Sequence, residues 1–248
     1  MSDPVDENAE RPVVIVTGSS SGIGEAIARR FAAAGDAVLV NSAHSVAAGQ
    51  AVADSLPEAR YVQGDIANGD DVERLVNVAL ETWGRIDTLV NNAGTTVMIP
   101  HHDLAAASVD VWRQIFEVNV FGTWAMTVAS VPALRESKGS VINVGSIAGS
   151  RPTGSSIPYA ASKAALHHLT VLLAKTLGPD VRVNAVAPGL IDTAWTTSWT
   201  TQRAVVGEIA ALRRVGTAGE VAEAVAALAG ATYTTGQVVL VDGGLSLA

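Results

Sequence analysis

The chain has no cysteine. That removes disulfides, thiolate nucleophiles and cysteine-ligated metals at once. Charge is scarce too: Asp, Glu, Lys and Arg make up 16% of the 248 residues, and the formal balance is −8. Nucleic acids and anionic membranes demand a basic face, so neither is an expected partner. No apolar run approaches the ~18 residues of a membrane span. The opening residues lack the apolar core of a signal peptide. The adjacent pair His101-His102 belongs to no His-x-His or His-Glu-x-x-His pattern, so no metal site is expected. Residues 1–11 are polar and acidic and read as a disordered tail. Residues 12–248 show no break in composition and read as one domain of a cytoplasmic protein.

Apolar residues are plentiful, at 48%, enough for a sizeable core. Val13 to Thr17 is a continuous apolar run, as a parallel strand buried on both faces requires. Gly18-Ser19-Ser20-Ser21-Gly22-Ile23-Gly24 follows at once, and then an alanine-rich helix ended by Gly35. Glycines permit a tight turn and close backbone approach, and a helix N-terminus offers free N–H groups. A pyrophosphate is the natural ligand of such a turn. Further strands are read at 37–41, 59–63, 86–90, 141–144, 181–187 and 238–241, alternating with helices. Seven strands in that alternation predict an α/β fold, a doubly wound parallel sheet covered by helices on both faces.

The end of the second strand bears on cofactor choice, since a carboxylate there binds the ribose 2′-hydroxyl of NAD and repels a 2′-phosphate. Here stand Asn41, Ser42, Ala43, His44 and Ser45, with no acid, which favours NADP over the alternative, NAD. No arginine or lysine is at hand, so His44 and the serines would hold the phosphate, unless His44 is only a solvated loop residue. Asp65-Ile66 after the third strand either meets an adenine or caps the helix that starts near Asp70. Asn92, Ala93 and Gly94 follow the fourth strand; these small residues and amides suit packing against a nucleotide, or the amides cap neighbouring backbone. Asn119 falls inside a long helix read over 109–135, where Asn is unfavourable; it is either solvent-facing or a kink that holds a water. From Ala194 to Gly207 the pattern is irregular, with Trp195 and Trp199 among threonines. That stretch, 190–208 at its widest, is either a substrate lid or a helix pair packed by its tryptophans.

One stretch gathers reactive groups. Ser146 follows the fifth strand, and Tyr159 and Lys163 lie four apart at the start of a helix, so they share a face. A free phenol titrates near ~10. An ammonium about 4 Å away, at an effective dielectric of about 20, favours the phenolate by roughly 4 kcal/mol, enough to bring the pKa near 7. Tyr159 can then act as an acid/base with Ser146 holding the substrate oxygen. The chemistry suggested is carbonyl reduction or its reverse.

In this order and spacing, Thr17-Gly18-x-x-x-Gly22-x-Gly24, Asp65, Asn91-Asn92-Ala93-Gly94, Asn119, Ser146, Tyr159-x-x-x-Lys163, Pro188-Gly189 with Thr193, and Val241-Asp242-Gly243-Gly244 resemble the short-chain dehydrogenase/reductase family. The likeness runs from Pro12 to the C-terminus and is nearest to members named as 3-oxoacyl-carrier-protein reductases. It implies a single-domain Rossmann fold and an NAD(P)(H)-dependent oxidoreductase acting on a small carbonyl or secondary alcohol. Tyr159 would be the acid/base, Ser146 would hold the reacting oxygen, and Lys163 would hold the nicotinamide ribose. Asn119 would kink its helix and hold a water leading to Lys163. Ser20, Ser21 and Ile23 of the turn would join its glycines at the cofactor, Ile191 would meet the carboxamide by its backbone, and Thr193 the phosphates. Trp195 would touch substrate. The assembly implied is a homotetramer built on the helices at 109–135 and 157–177 and the last strand. Ser21 departs from the arginine of many NADP-using relatives, and Ala218 from a usual proline. The readings that compete are a non-catalytic dinucleotide sensor on the same fold and a Rossmann-like methyltransferase.

Overall fold

The structure, a computed structural model, describes residues 11–248. Seven strands form one parallel sheet: β1 (Val13–Val16), β2 (Ala37–Ser42), β3 (Ala59–Gln63), β4 (Thr88–Asn91), β5 (Ser140–Val144), β6 (Arg182–Pro188) and β9 (Val238–Val241). Their order is β3-β2-β1-β4-β5-β6-β9. The two-residue strands β7 (Ile191–Asp192) and β8 (Gly216–Thr217) pair separately. The order reverses between β1 and β4, and their carboxyl ends open a crevice there. Every residue of β1, β2, β4 and β5 is buried, so the apolar runs are explained by helices on both faces.

Alternation along the strands sends neighbours to opposite cores. Val14 and Val16 join Ile27, Phe31, Val221 and Val225 beneath α1 (Gly22–Ala33), α2 (Val46–Asp54) and α8 (Ala218–Gly230). Ile15 joins Leu75, Met126, Leu134 and Leu173 beneath α3 (Gly69–Trp83), α5 (Thr123–Glu136) and α6 (Ile157–Leu177). Helix α3 is capped by Asn68, whose side chain accepts from the N–H groups of Asp70 and Asp71. Asp65 is therefore not its cap. Thr217 and Glu220 form a reciprocal capping box on α8, which starts cleanly without the proline.

Two regions differ from expectation. The long helix is continuous in space over 109–136 but not uniform. Between α4 (Val109–Phe116) and α5, residues Glu117–Gly122 form a π-helical turn around Asn119. The irregular stretch after β7 contains a 3₁₀ turn, Ala194–Thr196, and a helix, α7 (Thr200–Ile209). No apolar stripe announces α7. One buried side chain, Val206, and an Arg203–Asp192 ion pair of 2.7 Å hold it. Of the expected N-terminal tail, 1–10 lies outside the described residues, and Arg11 already pairs with Glu58 at 3.3 Å. None of the described helices is long and apolar enough to cross a membrane.

Candidate active site

A single cleft of about 730 Å³ runs along the carboxyl ends of the strands, in the range of ligand sites. Its nucleotide end is a network of backbone and short polar groups. Gly18 and Gly22 hold φ of +63° and +59°, which glycine adopts without strain. A Cβ on Gly24 would collide with the Gly18 carbonyl oxygen and Asn92 Nδ2. Asn92 Nδ2 donates to the carbonyls of Thr17 and Gly18, both at 2.9 Å. Thr17 Oγ1 accepts from the N–H groups of Asn92 and Ala93, both at 3.1 Å. Asn41, fully buried, accepts from Gly18 N–H at 3.2 Å and donates to the carbonyls of Val62 and Gly64. Its amide thus braces the turn, and only its edge borders the cleft.

Ser21, the N-cap of α1, makes no side-chain cap bond, so the first turn of that helix is left open towards the cleft. The wall there includes Ser42, His44, Asp65 and Ile66. Ser42 Oγ pairs with Tyr61 Oη at 2.9 Å, His44 is exposed, and Asp65 Oδ1 accepts from Ala67 N–H at 3.0 Å. Pro188, Gly189, Ile191 and Thr193 close the opposite rim. Glycines that leave no room for a Cβ, an open helix start and a donor-lined floor fit a dinucleotide.

The reactive groups meet midway. Ser146 caps a 3₁₀ turn, its Oγ accepting from Ala148 N–H at 3.2 Å. Ser156 caps α6 by accepting from Tyr159 N–H at 3.3 Å, which places Tyr159 in the first helical turn. Ser146 is the hydroxyl neighbour that favours the phenolate of Tyr159. Lys163, 4% exposed, donates from Nζ to the Val144 carbonyl at 2.9 Å and lies 5.8 Å from the Tyr159 ring centroid. Burial holds the ammonium down at about 8. Burial pushes the Tyr159 phenol up from 10, against a lowering hydrogen bond from Ser146. The expected depression towards 7 is absent from this geometry: the ammonium engages a carbonyl at this separation, and desolvation of the phenolate prevails.

Asn119 is buried rather than solvent-facing. It accepts from Thr95 N–H at 2.8 Å and donates to the Thr95 carbonyl and Ser162 Oγ, each at 3.0 Å. It does not border the cleft; it pins the loop after Gly94 to α6. Ser20 likewise falls outside the lining. The remaining residues expected at the site, Trp195 included, do border it. Absent from expectation were Thr96, Met98, Gln114, Ser155 and Leu245, which line the cleft together with Trp199 and Gln202 of the expected lid. They come from separate loops and helices, and no spacing signal joins them. Beneath the Ser146 turn sits His167, 8% exposed, where a Cβ on Gly145 or Gly149 would strike its ring.

Comparison with known proteins fixes the class. A family model described as enoyl-(acyl carrier protein) reductase matches residues 18–246. A Streptomyces violaceoruber protein that carries the name ketoacyl reductase 2 of a granaticin polyketide synthase is 57% identical, covering 96% of this chain and 97% of its own. A 3-oxoacyl-[acyl-carrier-protein] reductase of Synechocystis is 38% identical over 94% and 96%. In the solved structure of aldohexose dehydrogenase from Thermoplasma acidophilum, 95% of the chain superposes on 96% of this one, with a TM-score of 0.86 and 32% identity. The fold and cleft are those of a nicotinamide-dependent oxidoreductase that transfers hydride. This chain belongs to the short-chain dehydrogenase/reductase family, and the sensor and methyltransferase readings fall.

Proposed function

We propose that the chain is an NADP(H)-dependent reductase of a ketone, or dehydrogenase of the matching secondary alcohol, with Tyr159 as its acid/base. Ser146, Tyr159 and Lys163 bordering one cleft with the glycine turn is the observation that carries this reading. A bound nicotinamide supplies or accepts the hydride at the carbonyl carbon. Tyr159, protonated at neutral pH, hands its proton to the carbonyl oxygen, while Ser146 donates a hydrogen bond to that oxygen as charge gathers on it. Lys163 presents a cation beside Gly94 and the Val144 carbonyl, suited to a ribose. Asn119 positions the Thr95 loop and keeps one Oδ1 lone pair for a water on the way to Lys163. Residues 190–208, with α7, form the lid over the substrate end.

The NADP preference rests on the wall after β2. Among the lining residues the one carboxylate is Asp65, just past the end of β3, and none stands at the end of β2. We place the chain in the cytoplasm, as a reading that its cofactor chemistry permits. Apolar side chains on the outer face of α4–α5 (Phe121, Trp124, Val128), on α6 (Val171, Leu172) and along β9 (Val239, Leu240) support a homotetramer. The relatives named as ketoacyl reductases favour a carbonyl substrate.

Replacing Tyr159 with Phe tests the mechanism: turnover is expected to fall about 10³-fold or more while NADPH still binds. An active Phe variant sinks it. Parallel assays with NADPH and NADH test the cofactor assignment.

A further inference from the structure

Beyond Tyr159 the cleft changes character. Trp195 and Trp199 border it from the segment after β7, and the hydroxyls of Thr96 and Ser155, which pair at 2.5 Å, border it too. Two of the chain's five tryptophans therefore stand at this end. Trp195 keeps 49% of its surface open, so its indole is not spent on packing the segment together, while Trp199 is half-buried. An exposed indole beside a cavity is a broad, flat apolar surface awaiting a partner.

Charge at the same end is missing. The titratable side chains lining the cleft are His44 and Asp65 at the nucleotide end, and Tyr159 and Lys163 at the centre. Lys163 is held on the Val144 carbonyl, and Arg203, on α7, is tied to Asp192. A carboxylate or phosphate placed against the indoles would lose its hydration with no cation to replace it. The polar groups on offer, Thr96, Ser155 and Gln202, are neutral.

We propose that the substrate is an uncharged ketone borne on a flat ring system, or the corresponding alcohol, with the ring seated on Trp195 and Trp199 while its oxygen meets Ser146 and Tyr159. The inference rests on the reducing role of that pair. The carbonyl carbon gains a hydride from the reduced dinucleotide, which is oxidised. The oxygen gains the Tyr159 proton, which solvent replaces.

Steady-state kinetics with NADPH test it on three ketones: bicyclic 1-tetralone, small neutral 2,3-butanedione and anionic acetoacetate. The kcat/KM for 1-tetralone should exceed the other two at least about tenfold, by stacking and by the absence of a cation. Trp195→Ala with Trp199→Ala should lower the ratio of 1-tetralone to 2,3-butanedione by about tenfold, and the Trp→Phe pair should restore it in part. If 2,3-butanedione or acetoacetate is reduced as well as 1-tetralone, the ring assignment is overturned while the reducing role stands. If NADPH binds but no ketone is turned over, the reducing role falls and the ring assignment with it. The wild-type comparison decides the matter even if the alanine pair does not fold.

Discussion

The two ends of the cleft are built on opposite principles. The nucleotide end is backbone and short amides held in a closed network, where Thr17, Asn41 and Asn92 each make several bonds to neighbouring main chain. The substrate end is a set of larger side chains from separate elements, with partly exposed indoles and a helix anchored by one buried valine and one ion pair. A rigid half suits a ligand that never changes, and a loosely tied half lets specificity drift without disturbing the chemistry. Changes in the first half should therefore cost cofactor binding and fold together, and changes in the second should cost only substrate.

The largest effect is expected from Gly24→Ala. Its Cβ meets a carbonyl and an amide that cannot both withdraw, so NADPH affinity should drop by about 100-fold or more when followed by fluorescence titration, and by more than any lid substitution. Wild-type affinity would show that the turn is not rigid. Asn41→Ala removes one acceptor and two donations. Each orphaned backbone group costs about 1–3 kcal/mol, so the melting temperature should fall by several degrees and cofactor affinity by about tenfold together. A loss of one without the other would separate the functions joined here. Ala43→Asp places a carboxylate on the wall after β2, and the NADPH-to-NADH ratio of kcat/KM should swing towards NADH by about tenfold. No swing would remove the basis of the NADP assignment.

The smallest effect is a pH dependence under the Ser146 turn. Burial, and then the charge of Lys163, hold the His167 imidazole down at about 4. The folded state thus binds fewer protons than the unfolded state between about 6.5 and 4, and stability should decline as pH falls through that window. Thermal melts should show wild type losing stability relative to His167→Gln as pH falls from about 6.5 to about 4, with a constant gap above 6.5. Parallel curves would deny the imidazole that role.

The contrast also decides what could be read from the chain. The glycine turn and the Tyr159–Lys163 pair are close in sequence, and their spacing alone puts them on one turn or one helical face. The seven strands show because burial on both faces makes each a continuous apolar run. Thr96, Gln114, Ser155 and Gln202 meet only through tertiary packing, so no local pattern marks them. Helix α7 stays open in the sequence between a lid and a helix pair, because a single valine is no periodicity. The Tyr159 phenol departs from expectation for a related reason: helical spacing fixes the face a side chain shares, but not which carbonyl its neighbour finds or how dry the site is.

The π-helical turn at Glu117–Gly122 carries one residue more than an α-helix of the same rise. Each added residue rotates the downstream helix by about 100°. Losing a residue beyond Asn119 while the wide turn persists would swing the second half of the rod by that angle, carrying Met126 off the core and turning Trp124 inward. The irregularity that seats Asn119 thus also absorbs one residue of the count that sets which side chains reach the outer surface of the helix.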